Sequence, residues 1–152
     1  MNETVGRTYY NSSYRHGVDE KRRIQIPAKW RSAEAGVELT VVLWQKQKDA
    51  PWLRVLPPEK MASMVRDIEA LPNSDPNKAA LKRLIGSKSV QVSLDSAGRI
   101  CLPESMAKEA GIDKEVVLVG VLDAYEIWNP ERYAKVSQSD EIMAQEAFKY
   151  ME

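Results

Sequence analysis

The sequence predicts an α+β fold made of two copies of one unit whose strands share a core. Three observations predict it. The stretches "DEKRRIQIP" (Asp19 to Pro27) and "DSAGRICLP" (Asp95 to Pro103) stand 76 positions apart with Asp, Arg, Ile and Pro in matching places. After each, the same order of elements returns, and the offset drifts only to 75 at the Glu-Ala-Gly triplets and 72 at the Pro-Glu pairs. A chain of 152 residues with 43% hydrophobic content can bury a core, either as one domain or as two halves sharing one.

In each copy an Asp-led turn separates two short strands; aspartate suits a tight turn because its carboxylate accepts backbone N–H groups. Pro27 and Pro103 then open short helices, at a position where the missing N–H would be unpaired anyway. Gly36 and Gly111 supply the left-handed stop. The β-branched runs "VELTVVL" and "IDKEVVLV" read as strands, and "WLRVLPPEKM" and "YEIWNPERYA" each read as a second strand followed by another proline-started helix. The longest loop of the first copy is "WQKQKDAP". Between the copies, Met61, Met64, Val65, Ile68 and Leu71 recur at helical spacing, and "SDPNKAALKRLIG" carries Asp75 as a cap, Pro76 at its start and Gly86 at its end. The closing "DEIMAQEAFKYM" is a short amphipathic helix. Its Ile142, Met143, Ala147 and Met151 face either the core, the commoner fate of such a stripe, or a neighbouring subunit. These elements divide the chain into units over 13–60 and 89–132, a helical linker over 61–88 and a helical tail over 133–152.

The 22 basic and 22 acidic side chains cancel, so any nucleic-acid contact must come from local clustering. The opening "MNETVGRTYY" has no basic-then-apolar signal, and no run approaches the roughly 18 apolar residues that span a membrane. A soluble, cytoplasmic protein is expected. Cys101 is the single cysteine and His16 the single histidine, which leaves no internal disulfide and no zinc cluster of the usual spacing; both read as structural. Asp19, Glu20 and Asp95 could be drawn together as catalytic carboxylates, but no histidine accompanies the second copy. No phosphate loop, nucleophile elbow or zinc-hydrolase motif occurs, so neither an enzyme nor a cofactor is expected.

Positive charge concentrates between Arg15 and Arg31, where Arg15, Lys21, Arg22, Arg23, Lys29 and Arg31 face only Asp19 and Glu20, while the chain from Glu109 onward is acidic. Alone, "EKRR" would read as a solvated turn. The repeat changes the weighing, because Arg23 and Arg99 follow equivalent aspartates and a pseudo-twofold molecule would present them as a pair. Two readings of each Asp-x-x-x-Arg motif stay open: a local ion pair that holds the turn, and an arginine so oriented that its remaining N–H donors reach a phosphate or a guanine edge.

The paired "DEKRR" and "DSAGR" turns, the following "RIQIP" and "RICLP", and "GIDKEVVLVGVLDAYEIWNPERY" resemble the MraZ family, transcriptional regulators of the bacterial division and cell-wall gene cluster. The resemblance covers nearly the whole chain and is weakest over the first dozen residues and the tail. It implies two tandem swapped-hairpin units of the SpoVT-AbrB type, packed as a pseudo-twofold, β-barrel-like core with short helices. It also implies a nucleoid-associated repressor that binds double-stranded DNA at tandem upstream repeats as a ring-shaped homo-oligomer. Carried over by position, the DNA contacts are Lys21 and Arg23 in the first copy and Arg99 in the second, with Arg22, Arg15, Lys29 and Arg31 as further candidates. Asp19 and Asp95 hold the turns. Arg22 stands where the family often has glycine, as Gly98 does in the second copy, so the first turn is expected to be strained or to differ in shape. Ser96 and Ala97 leave the second turn poorer in charge, which makes the first the main DNA-facing turn. The competing reading is a self-assembling interaction scaffold without specific DNA recognition; an antitoxin role fits less well, because such antitoxins usually carry one copy of the unit and a separate toxin-binding tail.

Overall fold

The structure, a computed structural model, describes residues 9–46 and 50–151. Part of the "WQKQKDAP" loop, residues 47–49, lies outside it, as do residues 1–8 of the opening stretch and residue 152.

The chain runs β1 (Ser13–Gly17), β2 (Arg23–Gln25), a one-turn 3-10 helix (Ala28–Trp30), β3 (Glu38–Trp44), β4 (Trp52–Leu56), α1 (Pro58–Glu69) and α2 (Pro76–Ser87). It continues through β5 (Ser89–Ser93), β6 (Arg99–Cys101), α3 (Glu104–Glu109), β7 (Glu115–Gly120), β8 (Tyr125–Trp128) and α4 (Pro130–Phe148). With α2 set aside as a connector, the second half repeats the first element for element, and the fold is α+β with antiparallel strands.

Six strands form one sheet in the order β1-β7-β8-β4-β3-β5, and β2 pairs with β6 as a separate ribbon. Replacing every strand by its counterpart in the other copy leaves that order unchanged. Each copy's first strand has left its own copy: β1 pairs with β7, and β5 pairs with β3. The register locates the pseudo-twofold axis, since Ile24 lies opposite its counterpart Ile100 in the ribbon and Arg54 lies opposite its counterpart Glu126 in the sheet.

Strand alternation decides what faces inward. Val41, Leu43, Leu53, Val55, Val116, Leu118, Tyr125 and Ile127 turn to one face of the sheet, where they pack in one cluster with Ile24, Ile26, Ile100 and Leu102 of the ribbon and with Trp30. Fully burying such side chains stabilises by roughly 1.5–3 kcal/mol each. A slip of one residue would turn the whole set outward, so the register is strongly specified.

The expected barrel-like closure does not form. The sheet stays open, with β1 and β5 at its edges, because β2 and β6 are three residues each and spend their ladder bonds on one another. The helix expected after Pro27 shrinks to the 3-10 turn ending at an extended Arg31, whereas its counterpart α3 runs on to Glu109. The helices expected at Pro130 and Asp140 are one continuous α4, opened by Asn129, whose side chain accepts from the N–H groups of Glu131 and Arg132. Asp75 caps α2 as expected by accepting from Asn77 N–H. Met61 and Met64 of α1 cover Val42 and Leu56 on the outer face of the sheet. Of the two fates expected for the tail stripe, the core one does not occur within the chain: Ile142, Met143 and Met151 are exposed. Among the described residues no helix is long and apolar enough to cross a membrane.

Candidate nucleic-acid interface

The two Asp-led turns are built alike, atom by atom. Asp19 O accepts Arg22 N–H at 3.0 Å, Asp19 N–H donates to Arg23 O, and the Asp19 carboxylate accepts the N–H groups of Lys21 at 2.9 Å and Arg23 at 2.8 Å. Arg23 Nε then donates to Asp19 Oδ2 at 2.6 Å. In the second copy Asp95 O accepts Gly98 N–H, Asp95 N–H donates to Arg99 O, the carboxylate accepts from Ala97 and Arg99, and Arg99 Nε donates to Asp95 Oδ2 at 2.9 Å. The backbone N–H of the motif arginine is the main reason both carboxyls sit below their ordinary value of 3.8; partial desolvation opposes it, and the remaining N–H donors and the guanidinium add to it.

A hairpin loop of this length closes with a residue in the left-handed region. That residue is Gly98 at φ 78° in one turn and Arg22 at φ 60° in the other. The expected difference in shape is therefore absent, while the expected strain is real: a left-handed non-glycine residue costs roughly 1–2 kcal/mol.

What holds Arg22 there is a hydrogen bond the sequence does not announce. The N–H of the left-handed residue is turned back to the aspartate carbonyl, so it cannot continue the β2–β6 ladder, and one carbonyl at each end of the ribbon loses its donor. At one end that carbonyl is Leu102 O, and Arg22 Nε donates to it at 3.0 Å. At the other it is Ile26 O, and the donor is Arg31 Nε at 2.9 Å. One need is met twice, from two different positions of the repeat. The guanidinium of Arg31 lies where a Cβ on Gly98 would have to sit, 2.4 Å from its Cζ, so Gly98 must lack a side chain while Arg31 fills this place. Reaching Ile26 O also fits the extended backbone of Arg31 that ends the 3-10 turn early.

Antiparallel pairing of β2 with β6 sets Arg23 and Arg99 diagonally on the outer face of the ribbon, with Ile24 and Ile100 turned inward. Arg99 Nη1 comes to 4.0 Å from Asp19 Oδ2, so the two turns form one surface. Each turn tip is held from the other copy: Gln25 Nε2 donates to Ala97 O at 2.7 Å, and its counterpart Cys101 donates from Sγ to Lys21 O at 3.2 Å. Sequence reading gave Gln25 no role and Cys101 only a strand position. The available signal was their shared place, 76 apart, between the two apolar residues of each short strand.

The remaining candidates fall into two groups. Arg15, on β1, donates to Glu115 of the neighbouring β7 at 3.1 Å. Lys29 and Arg31 line an open groove with Tyr14, His16, Gln25 and Pro27 beside the ribbon. Among the described residues no carboxylate pairs with Lys21, Arg22, Lys29 or Arg31, whereas Arg23 pairs with Asp19 and Arg99 with Asp95 and, at 4.0 Å, with Asp19. His16 stacks on Tyr14 in β1.

A family described as "MraZ protein, putative antitoxin-like" matches residues 86–150, the second copy. Full-length relatives extend the likeness over both copies. A protein of Acidithiobacillus ferrooxidans named Transcriptional regulator MraZ is 34% identical over 128 residues, 82% of this chain and 85% of its own. Proteins of the same name from Moorella thermoacetica and Rickettsia felis are 36% and 32% identical, covering 82% and 89% of this chain and 83% and 91% of their own.

Proposed function

This chain belongs to the MraZ family, and we propose that it is a DNA-binding transcriptional regulator whose two Asp-led turns together form the DNA-docking face. The observation that carries the reading is the pairing of β2 with β6, which brings two preorganised arginine turns, far apart in sequence, onto one ribbon surface, around which stand Lys21, Arg22, Lys29 and Arg31, paired with no carboxylate among the described residues. The same reading treats each repeat copy as a swapped-hairpin unit of the SpoVT-AbrB type, which the exchange of β1 and β5 between copies supports. The copies correspond to 13–60 and 89–132, joined by 61–88 and followed by the tail from 133.

One subunit offers few phosphate contacts, too few for tight binding alone. A ring of subunits placing several such faces along tandem upstream repeats gains affinity through effective concentration, and binding falls steeply with salt. Repeats spaced near one helical turn, roughly 10 base pairs, keep successive faces on one side of the duplex. Occupying the promoter of the division and cell-wall cluster then represses it, in the cytoplasm at the nucleoid. The first turn, with Lys21 where the second has Ala97, carries the larger share of charge.

The exposed Ile142, Met143 and Phe148 of α4 favour self-association, and equally a scaffold without DNA recognition. Fluorescence anisotropy separates the two readings. On labelled DNA from upstream of its own coding region, with unrelated DNA as competitor, the wild type binds tightly and Arg23→Ala loses most of that binding. Absence of any preference for its own upstream DNA would leave the scaffold.

A further inference from the structure

The net charge of the docking face does not reside in its motif arginines. Arg23 and Arg99 each sit against an aspartate, at 2.6 and 2.9 Å, so a phosphate arriving at either meets a carboxylate beside the guanidinium. Arg22 and Arg31 have no such neighbour among the described residues. Their Nε atoms are engaged on Leu102 O and Ile26 O, and no hydrogen bond or ion pair there reaches their Nη groups. Both side chains are half-buried, and Arg31 lines the open groove beside the ribbon. A guanidinium fork anchored by one donor with its others free is preorganised for a phosphate oxygen, since little rotamer freedom remains to be lost on contact.

We propose that Arg22 and Arg31 are one phosphate-binding device built twice: each is anchored through Nε on the carbonyl that its end of the ribbon leaves unpaired, and each presents its Nη groups to the DNA backbone. This rests on the DNA-binding reading and adds to it a division of labour. The Asp-Arg pairs shape the turns, and the anchored pair supplies the sequence-independent attraction.

The repeat makes the device exchangeable. Position 98 is the counterpart of 22 and already has the left-handed backbone, at φ 78°. An arginine there would reach Ile26 O as Arg22 reaches Leu102 O, provided Arg31 is cleared from the space its Cβ needs.

The experiment is a double-mutant cycle on the full chain with two readouts. In melting curves without DNA, Gly98→Arg and Arg31→Ala each lower the melting temperature, one by collision and one by unpairing Ile26 O. The double variant melts above both. A double variant whose loss equals or exceeds the sum of the single losses would overturn the exchange. In anisotropy titrations on a mixed-sequence duplex, Arg31→Ala and Arg22→Gly each flatten the dependence of log K on log salt by about 0.9, the loss of one phosphate contact. Gly98→Arg/Arg31→Ala keeps the wild-type slope. Unchanged slopes in Arg22→Gly and Arg31→Ala, on DNA that the wild type binds, would overturn the phosphate role. A wild type that binds no DNA would instead end the DNA-binding reading, and the melting curves would still decide the exchange.

Discussion

The pseudo-twofold axis enters the molecule at the ribbon and leaves it through the sheet, and the two ends treat charge in opposite ways. At the ribbon end both copies keep arginine, and Arg23 and Arg99 stand side by side because each brings its own aspartate. At the sheet end equivalent positions face each other directly, so duplicated arginines would meet with no neutralising group between them. The second copy has Glu126 there instead. Arg54 Nε donates to Glu126 Oε2 at 3.1 Å, and the indole N–H groups of Trp52 and Trp128 donate to the same carboxylate at 3.1 and 2.9 Å. Those two rings stack at 4.6 Å, and Arg54 lies 4.3 Å over Trp44. Glu126 is 8% exposed, while the ribbon arginines remain accessible. A duplicated surface keeps its like charges where each carries a counter-ion and water, and must differentiate where the axis buries them.

The contrast is tested most severely at Glu126. Glu126→Ala leaves two buried indole N–H groups and Arg54 without an acceptor, and urea unfolding should show a loss of about 3 kcal/mol. Arg54→Ala should lose only about 1 kcal/mol, because Arg54 is partly exposed and the carboxylate keeps both indoles. Equal losses would mean that the two indole donors add nothing to the pairing of Arg54 with Glu126.

At the ribbon the expected effects are smaller and set the two turns apart. Gly98→Ala imposes a left-handed alanine and displaces Arg31 from Ile26 O, for about 2 kcal/mol by the same measurement. Arg22→Gly relieves backbone strain but unpairs Leu102 O, and the two terms leave stability within about 1 kcal/mol of the wild type. A large loss in Arg22→Gly would show that the anchor outweighs the strain.

The smallest effect is an equality. Both motif carboxyls are held below 3.8 in the folded protein, so the stability they contribute is present above that value and is lost as pH falls through their lower folded values. Melting curves taken from about pH 5 downward should lose the same part of their acid slope in Asp19→Asn and in Asp95→Asn. A difference between the two variants would break the equivalence of the turns.

Much of this was legible in the chain. The repeat, the Asp-led turns, the proline-started helices and the capping Asp75 depend on residues within a few positions of one another. The pairing Asp19 with Arg23 and Asp95 with Arg99 is likewise local. The roles of Gln25 and Cys101, the anchor of Arg22 and the clearance at Gly98 were not legible, because each rests on an atom 70 or more positions away or on the empty space one side chain leaves for another. Which of its two fates the apolar face of α4 meets was not legible for a related reason: helical spacing identifies an apolar face but not what lies against it.

By itself, then, the sequence determined two copies of an α+β unit, the Asp-led turn in each and the local excess of positive charge, since short-range hydrogen bonding and strand and helix periodicity suffice for these. Only the tertiary structure decided that β1 and β5 cross to the opposite copy, that the sheet stays open, that both turns share one face, and that Arg54 meets Glu126. Periodicity specifies which face a strand buries but not which strand it pairs with, and that choice is made by packing and hydrogen bonds between segments that include Ser13 of β1 and Val119 of β7.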